Sequence, residues 1–338
     1  MKRIVSLILL VTVCLGVCIS STSCNKNKGI KVNPDKEEYV VGIIQLITHD
    51  ALDAATQGFK DALTAKLAEA GRTVKYKECN AAGEVTQCNT IVNNFVSEDV
   101  DLIMANATAA LFAAANATTH IPVLGTSVTE YGVALKIDDF DGVVGGNVSG
   151  TSDLAPLKDQ AQMMIDTLSL GAGSTVGLLY CSAEANSEYQ VQVVKSHLES
   201  KGVTCTVYKF ADSNELPLIA QNAADNSDAI YVPTDNVVAA STEIINNVCA
   251  PAKVPVFAGE ENTCAGCGYA TLSINYYNIG YKTGEMAASV LLGQADISEM
   301  PIAYDAEPVK KYNKSACENL GIDISALEAA GYVAIPEA

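Results

Sequence analysis

The chain has 338 residues and a formal net charge of −18, with 49% hydrophobic and 18% charged residues. That balance describes a packed globular protein and excludes a disordered one. The acidic excess, with no clustered Lys or Arg, excludes nucleic acid as a partner.

The N-terminus reads as an export signal over residues 1–23. Lys2 and Arg3 are followed by the apolar run Ile4 to Ile19 and the small residues Ser20 to Ser23. That run is too short for a membrane span and has the length of a secretory h-region. Cys24 stands at its end, before the polar stretch Asn25-Lys26-Asn27-Lys28-Gly29, which opens a tether over 24–37. The arrangement resembles a lipoprotein lipobox, with Ser21 where Leu is usual; Cys18 fits less well because Val17 precedes it. Lipid on Cys24 would place the protein outside the cell membrane and anchored to it. Beyond this segment no stretch is long and apolar enough to span a bilayer.

From Tyr39 short apolar runs alternate with helical patterns. Strands are expected at Tyr39–Leu46, Thr73–Lys77, Val100–Ala105 and Pro122–Gly125, with helices at Asp53–Glu69, Gln87–Ser97 and Thr108–Ala117. The segment Gly145 to Pro156, rich in Gly, Ser, Thr and Asp, reads as a crossover or hinge. The alternation then restarts, with strands at Thr175–Tyr180, Thr204–Lys209, Ala229–Val232 and Val254–Ala258. Helices are expected at Glu188–Lys201, Leu216–Asn222 and Val237–Val248, and a later one at Tyr277–Leu292. This is the pattern of parallel sheets covered by helices on both faces, in two comparable lobes.

Ligands of open parallel sheets bind beyond the carboxyl ends of the strands. In the first half those ends carry Gln45, Thr48, His49, Asp50, Asp53, Asn106, Thr108, Thr126, Ser127 and Thr129. In the second they carry Ser182, Glu184, Asn186, Ser187, Thr234, Asp235, Asn236, Glu260 and Glu261. Hydroxyls at helix N-termini suit a carboxylate, and carboxylates, Asp235 above all, suit an ammonium. A zwitterionic amino acid would fit between, its acid on one lobe and its amine on the other. The same residue types are also ordinary helix caps.

Eight cysteines follow Cys24: Cys79, Cys88, Cys181, Cys205, Cys249, Cys264, Cys267 and Cys317. Their pairing is open. Cys181 and Cys205 lie in apolar strand patterns and read as buried thiols. Cys264-Ala-Gly-Cys267 is a single CxxC, without the second pair that a structural zinc would need. His49, His120 and His197 are too scattered for a metal cluster, and no nucleophile–base–orienter set marks an enzyme. Nothing implies a cofactor or a metal.

Several stretches resemble the ABC-importer substrate-binding proteins of the TrpX type. They are Val41-Gly-Ile-Ile-Gln-Leu46 with Ala51 to Leu63, Asn147 to Pro156, Glu184-Ala-Asn-Ser187, Tyr231-Val-Pro-Thr-Asp-Asn236 and Tyr276 to Ala288. The resemblance implies an α/β type I periplasmic-binding fold: two doubly wound parallel-sheet lobes joined by a hinge. Its lobes would be 38–150, completed by 277–300, and 151–276, completed by 301–338. It implies binding without catalysis of an amino acid, tryptophan or tyrosine, delivered to a membrane permease and its ATPase. By position, Gln45, Thr108, Ser127, Ser152, Asp153, Asn186, Asp235 and Asn236 would line the cleft. Tyr131, Tyr180, Tyr276 and Tyr277 are candidate ring clamps. Cys181 and the CxxC depart from the family pattern near the side-chain pocket. A ligand-sensing receptor for a signalling system, or a purine-nucleoside receptor of the same fold, remains an alternative.

Overall fold

The computed structural model describes residues 29–304 and 308–336. The export signal, Cys24 and the first part of the tether lie outside these residues.

The first sheet is laid down by alternating strands and helices. They are β1 (Glu38–Gln45), α1 (Asp50–Glu69), β2 (Thr73–Asn80), α2 (Val85–Ser97), β3 (Leu102–Asn106), α3 (Thr108–Ala117), β4 (Val123–Val128), α4 (Tyr131–Leu135) and β5 (Val148–Ser152). The chain then crosses over and builds a second sheet. It contains α5 (Leu157–Leu168), β6 (Thr175–Cys181), α6 (Ala185–Ser200), β7 (Thr204–Phe210), α7 (Leu216–Asp225), β8 (Ala229–Val232), α8 (Asn236–Ala239), α9 (Thr242–Ala252), β9 (Val256–Ala258), α10 (Glu261–Cys267) and β10 (Ala270–Ser273). The chain returns to the first lobe with α11 (Tyr276–Leu291) and β11 (Ala303–Tyr304). It ends in the second with β12 (Val309–Tyr312), α12 (Lys314–Leu320), α13 (Ile324–Ala329) and β13 (Val333–Ala334).

The sheet orders are β11-β5-β4-β3-β1-β2 and β13-β12-β10-β9-β8-β6-β7. Pairing is parallel throughout except between β10 and β12. Helices cover both faces of each sheet, so β3 and β4 are buried along their whole length. Separate apolar clusters form on the two faces of each sheet, for example Ile44, Leu52 and Phe95 on one and Val41, Phe59 and Val290 on the other.

Sheet membership shifts the expected lobe limits by a few residues. β5 pairs with β4 up to Ser152, and β11 pairs with β5 at Thr151 and Ser152. Thr151, Ser152 and β11 therefore belong to the first sheet, and Tyr276 opens α11, which packs on α1. The tether is also shorter than expected. Ile30 and Val32 pack against the first-lobe core, and the Lys31 N–H donates to the His120 carbonyl at 2.6 Å. Lys36 pairs with the buried carboxylate of Asp101. The chain is thus docked from about residue 30, because two apolar side chains leave water there.

β5 lies inside the expected hinge. Its sequence, Val-Ser-Gly-Thr-Ser, lacks apolar alternation, yet it is buried throughout. Its hydroxyls find partners within the protein: Ser149 donates to the Met300 carbonyl at 2.9 Å, and Thr151 meets Thr283 at 2.8 Å. The expected helix Val237–Val248 is two helices, interrupted at Ala240 and Ser241. α1 and α11 pack backbone to backbone. A Cβ on Gly58 would run into the Tyr277 carbonyl, and one on Gly280 into that of Ala55.

Candidate functional site

Both sheets turn their carboxyl strand ends toward the cleft between the lobes, and the two sets of ends differ. On the first lobe the backbone is strained. Ala107 has φ 92° and ψ 159°, and Ser127 has φ 54°. Both are non-glycine residues in regions that cost on the order of 1–3 kcal/mol each. Ser127 sits at an irregularity in β4–β5 pairing, which shifts register between Gly125 and Val128. Its Oγ is buried and has no hydrogen-bond partner.

Asp153 follows β5 on the first crossing between lobes. Its N–H donates to the Val128 carbonyl at 3.2 Å, which brings it beside the end of β4. Its Oδ2 accepts the Tyr276 hydroxyl at 2.9 Å, so a residue of the return crossing holds it in place. Its Oδ1 is buried and unpartnered. Burial raises the carboxyl above its usual range, against hydrogen bonds from Thr129 and Tyr276 that lower it. A buried carboxylate with a free oxygen is a site that a cation would stabilise.

The other first-lobe candidates are placed as follows. Thr108 is half-buried and opens α3 directly after the strained Ala107. Ser152 is satisfied internally, donating to the Thr129 carbonyl at 2.7 Å. Gln45 is held on its own lobe. It donates to Asp53 at 2.6 Å and to the Ile47 carbonyl at 2.9 Å, and accepts from Thr56 at 2.7 Å. It lines an open polar recess between α1 and β2 with Thr48, Lys60 and Asn80.

On the second lobe the carboxylates are occupied. Asp235 caps α8 by accepting the Val238 N–H at 3.0 Å. Its other oxygen accepts the Cys181 N–H and the Ser187 hydroxyl, each at 2.8 Å. Three protein donors thus already fill Asp235, the expected ammonium partner, whereas Asp153 keeps an oxygen without a partner. Glu184 accepts from Asn186 at 3.0 Å, from the Asn236 amide at 2.8 Å and from the Asn236 N–H at 3.0 Å. Burial and the nearby Asp235 carboxylate push Glu184 up to about 8. Asn186 also donates to the Thr234 carbonyl at 2.9 Å. Glu260 caps α10 through the N–H groups of Asn262 and Thr263.

Among the described residues, hydrogen bonds span the cleft at two places. His49 Nε2 lies 3.2 Å from Asn236 Oδ1, and Gln190 Nε2 lies 3.5 Å from Thr129 Oγ1. Gln190 and Thr129 were not singled out together by sequence; only their positions after β6 and β4 point to them. Of the four tyrosines, Tyr276 reaches the site. Tyr131 is core, its hydroxyl on the Thr151 carbonyl, and Tyr180 packs inside the second lobe. Tyr277 is exposed and bonds Asp61.

The described cysteines are free thiols. Cys79 is exposed, Cys205 half-buried and the rest buried. Burial pushes Cys181 and Cys249 up to about 12, so these are packing groups at neutral pH. Cys264 and Cys267 share the short helix α10. Among the described residues no group of three or more His, Cys, Asp or Glu is placed to hold a metal ion. No helix there is long and apolar enough to cross a membrane.

Comparison with known proteins agrees with the two-lobed fold. The tyrosine-binding protein of Clostridioides difficile (strain R20291) is 33% identical over 307 residues, covering 89% of this chain and 87% of that one. The crystal structure of the ABC domain from Streptococcus pneumoniae in complex with L-Trp is 30% identical, with a TM-score of 0.79 over 87% of this chain and all 100% of that one. The ligand-free, open structure of a substrate-binding protein with adhesive properties from Clostridium difficile is 31% identical and covers 88% of this chain and 100% of that one, with a TM-score of 0.65. At 30% and 31% identity, the present lobes overlay better on the ligand complex than on the open form. A glucose-galactose binding protein from Geobacillus stearothermophilus, at 15% identity and a TM-score of 0.58, shares the fold. The family model for ABC transporter substrate binding proteins matches residues 40–330. This chain belongs to the ABC transporter substrate-binding protein family, whose members bind their ligands without transforming them.

Proposed function

We propose that this protein is the receptor of an ABC importer and captures an aromatic amino acid, tyrosine or tryptophan, between its lobes. The observation that carries this reading is the unpartnered, buried Oδ1 of Asp153. Desolvation makes that charge costly alone and strongly attractive to an ammonium. The free hydroxyl of Ser127, at the adjoining strand end, suits the ligand carboxylate, aided by the N-terminus of the ten-residue helix α3 at Thr108. A purine nucleoside offers no cation at neutral pH to match Asp153.

On this reading the amino-acid headgroup rests on the first lobe and the crossing. The second lobe, with Asn186 and Asn236 at its strand ends, closes over the side chain. Binding energy then shifts an open–closed equilibrium that the permease reads. The aromatic ligand is supported by the tyrosine-binding and tryptophan-bound relatives. Gln45, Ser152 and Asp235 support the site by positioning rather than by contact.

Calorimetry with L-tyrosine and L-tryptophan tests the ligand class. Micromolar or tighter binding is expected; no heat and no melting shift with either would reject it. The chain has no Trp, so bound tryptophan would be its sole indole and would report its own burial by a blue-shifted emission. We further propose that lipid on Cys24 holds the receptor outside the membrane. A Cys24→Ser variant is expected to leave the membrane fraction, and one that stayed there would place the anchor elsewhere.

A further inference from the structure

His49 stands at a strand end of the first lobe, immediately before α1, and reaches Asn236 on the second. Its partner is rigidly held. Asn236 gives its side-chain amide to Glu184 Oε2 at 2.8 Å and its backbone N–H to the two Glu184 oxygens at 3.0 and 3.1 Å. Because the amide nitrogen of Asn236 points at Glu184, its Oδ1 is the atom that faces His49. An oxygen there can only accept, so His49 Nε2 carries the proton and Nδ1 carries a lone pair. Nδ1 is buried and without a partner.

Protonating this ring would place a new N–H at Nδ1 where no acceptor waits. It would also put a charge where burial already holds the imidazole below its usual range. The acidic groups that raise it are Asp53 and Asp50 on α1 and Asp235 on the second lobe, and they do not overcome burial. Glu184, behind Asn236, is itself pushed up to about 8. With the lobes apart, the ring would return to water and to its ordinary titration near pH 6.5. The second bridge, Gln190 to Thr129, does not titrate.

We propose that His49 and Asn236 form a clasp between the lobes that holds only while the imidazole is neutral, so that acidification loosens the receptor's grip on its ligand. The proposal rests on the reading above, in which the lobes close over an amino acid.

Dissociation rates of L-tyrosine and L-tryptophan at pH 7.5 and 5.5 test it, in the natural protein and in His49→Gln. Glutamine can still donate to Asn236 but does not titrate. Asp153 titrates in both proteins, so the clasp is read from their ratio. Release from the natural protein is expected to accelerate about tenfold more than release from His49→Gln across this range. Equal acceleration in the two would overturn the clasp. So would slower release on acidification of the natural protein, which would make the imidazolium a ligand contact. If neither amino acid binds, the ligand reading fails and the clasp is decided without it, by small-angle scattering of the ligand-free protein. The radius of gyration is expected to grow from pH 7.5 to 5.5 in the natural protein and not in His49→Gln. The same change in both, or none in either, overturns the clasp.

Discussion

Asp153 and Asp235 each follow a strand, are buried, and are raised by burial, yet they meet opposite conditions. Asp235 is filled by three donors of its own lobe. Asp153 is braced through one oxygen and left bare at the other. The backbone follows the same division. The strained Ala107 and Ser127 face the cleft from the first lobe, whereas the left-handed Ser169 and Lys253 of the second are helix C-caps. On the reading proposed above, the second lobe, whose strand-end carboxylates are already filled, closes over a ligand that the first lobe, with its strained backbone and the open valences of Ser127 and Asp153, is prepared to receive.

The contrast breaks most visibly at Asp153. Asp153→Asn keeps an acceptor for Tyr276 but removes the charge, and amino-acid affinity should fall roughly 100-fold or more, with little change in melting temperature. A titration calorimeter and a thermal melt read the two quantities. Asp235→Ala should do the reverse, costing about 2–4 kcal/mol of stability through the lost cap and two further bonds. At that size the melting temperature drops by roughly 5–10 °C. If Asp235→Ala instead spares the melt and abolishes binding, the assignment of roles is inverted.

Ser127→Ala sharpens the comparison at smaller scale. The hydroxyl has no partner to lose, so stability should hold or rise, while affinity falls about tenfold from one missing bond to a carboxylate. The smallest effect is in pH. Glu184 is raised from its ordinary 4.5 to about 8 in the folded protein. Its contribution to stability is therefore complete below pH 4.5 and lost as pH rises toward 8. Glu184→Gln should gain on the natural protein as pH increases across that window, in paired melts at pH 5 and pH 8.

Much of the fold is written in the chain because apolar runs and helical spacing alternate. β1 and the helix Asp50–Glu69 stand out, and α3 falls on its expected residues. β5 stays hidden because its burial is supported by hydroxyl bonds to residues far along the chain, such as Thr283, rather than by apolar side chains. α10 is held by the Glu260 cap rather than by periodicity. The strand-end rule brings up most of the site residues. It misses Ser152 and Asp153, which end and follow the hidden β5 and come only from the family resemblance, and it cannot tell a filled carboxylate such as Asp235 from an open one. His49 is visible as the one histidine at a strand end and Asn236 as a strand-end residue of the other lobe; their pairing is not.

The contact of α1 with α11 has a mechanical corollary. These helices come from opposite ends of the chain, and their backbones touch at Gly58 and Gly280 with no side chain between to yield. Such a joint transmits torque instead of absorbing it. Tyr276 opens α11 and holds Asp153, so a displacement of that helix is expected to be felt at the first crossing. On the reading proposed above, the bond that orients the ligand's ammonium partner is also a point on which lobe rotation would bear. A bulkier residue at Gly280 would be felt there as play in the bearing, long before the sheet itself gave way.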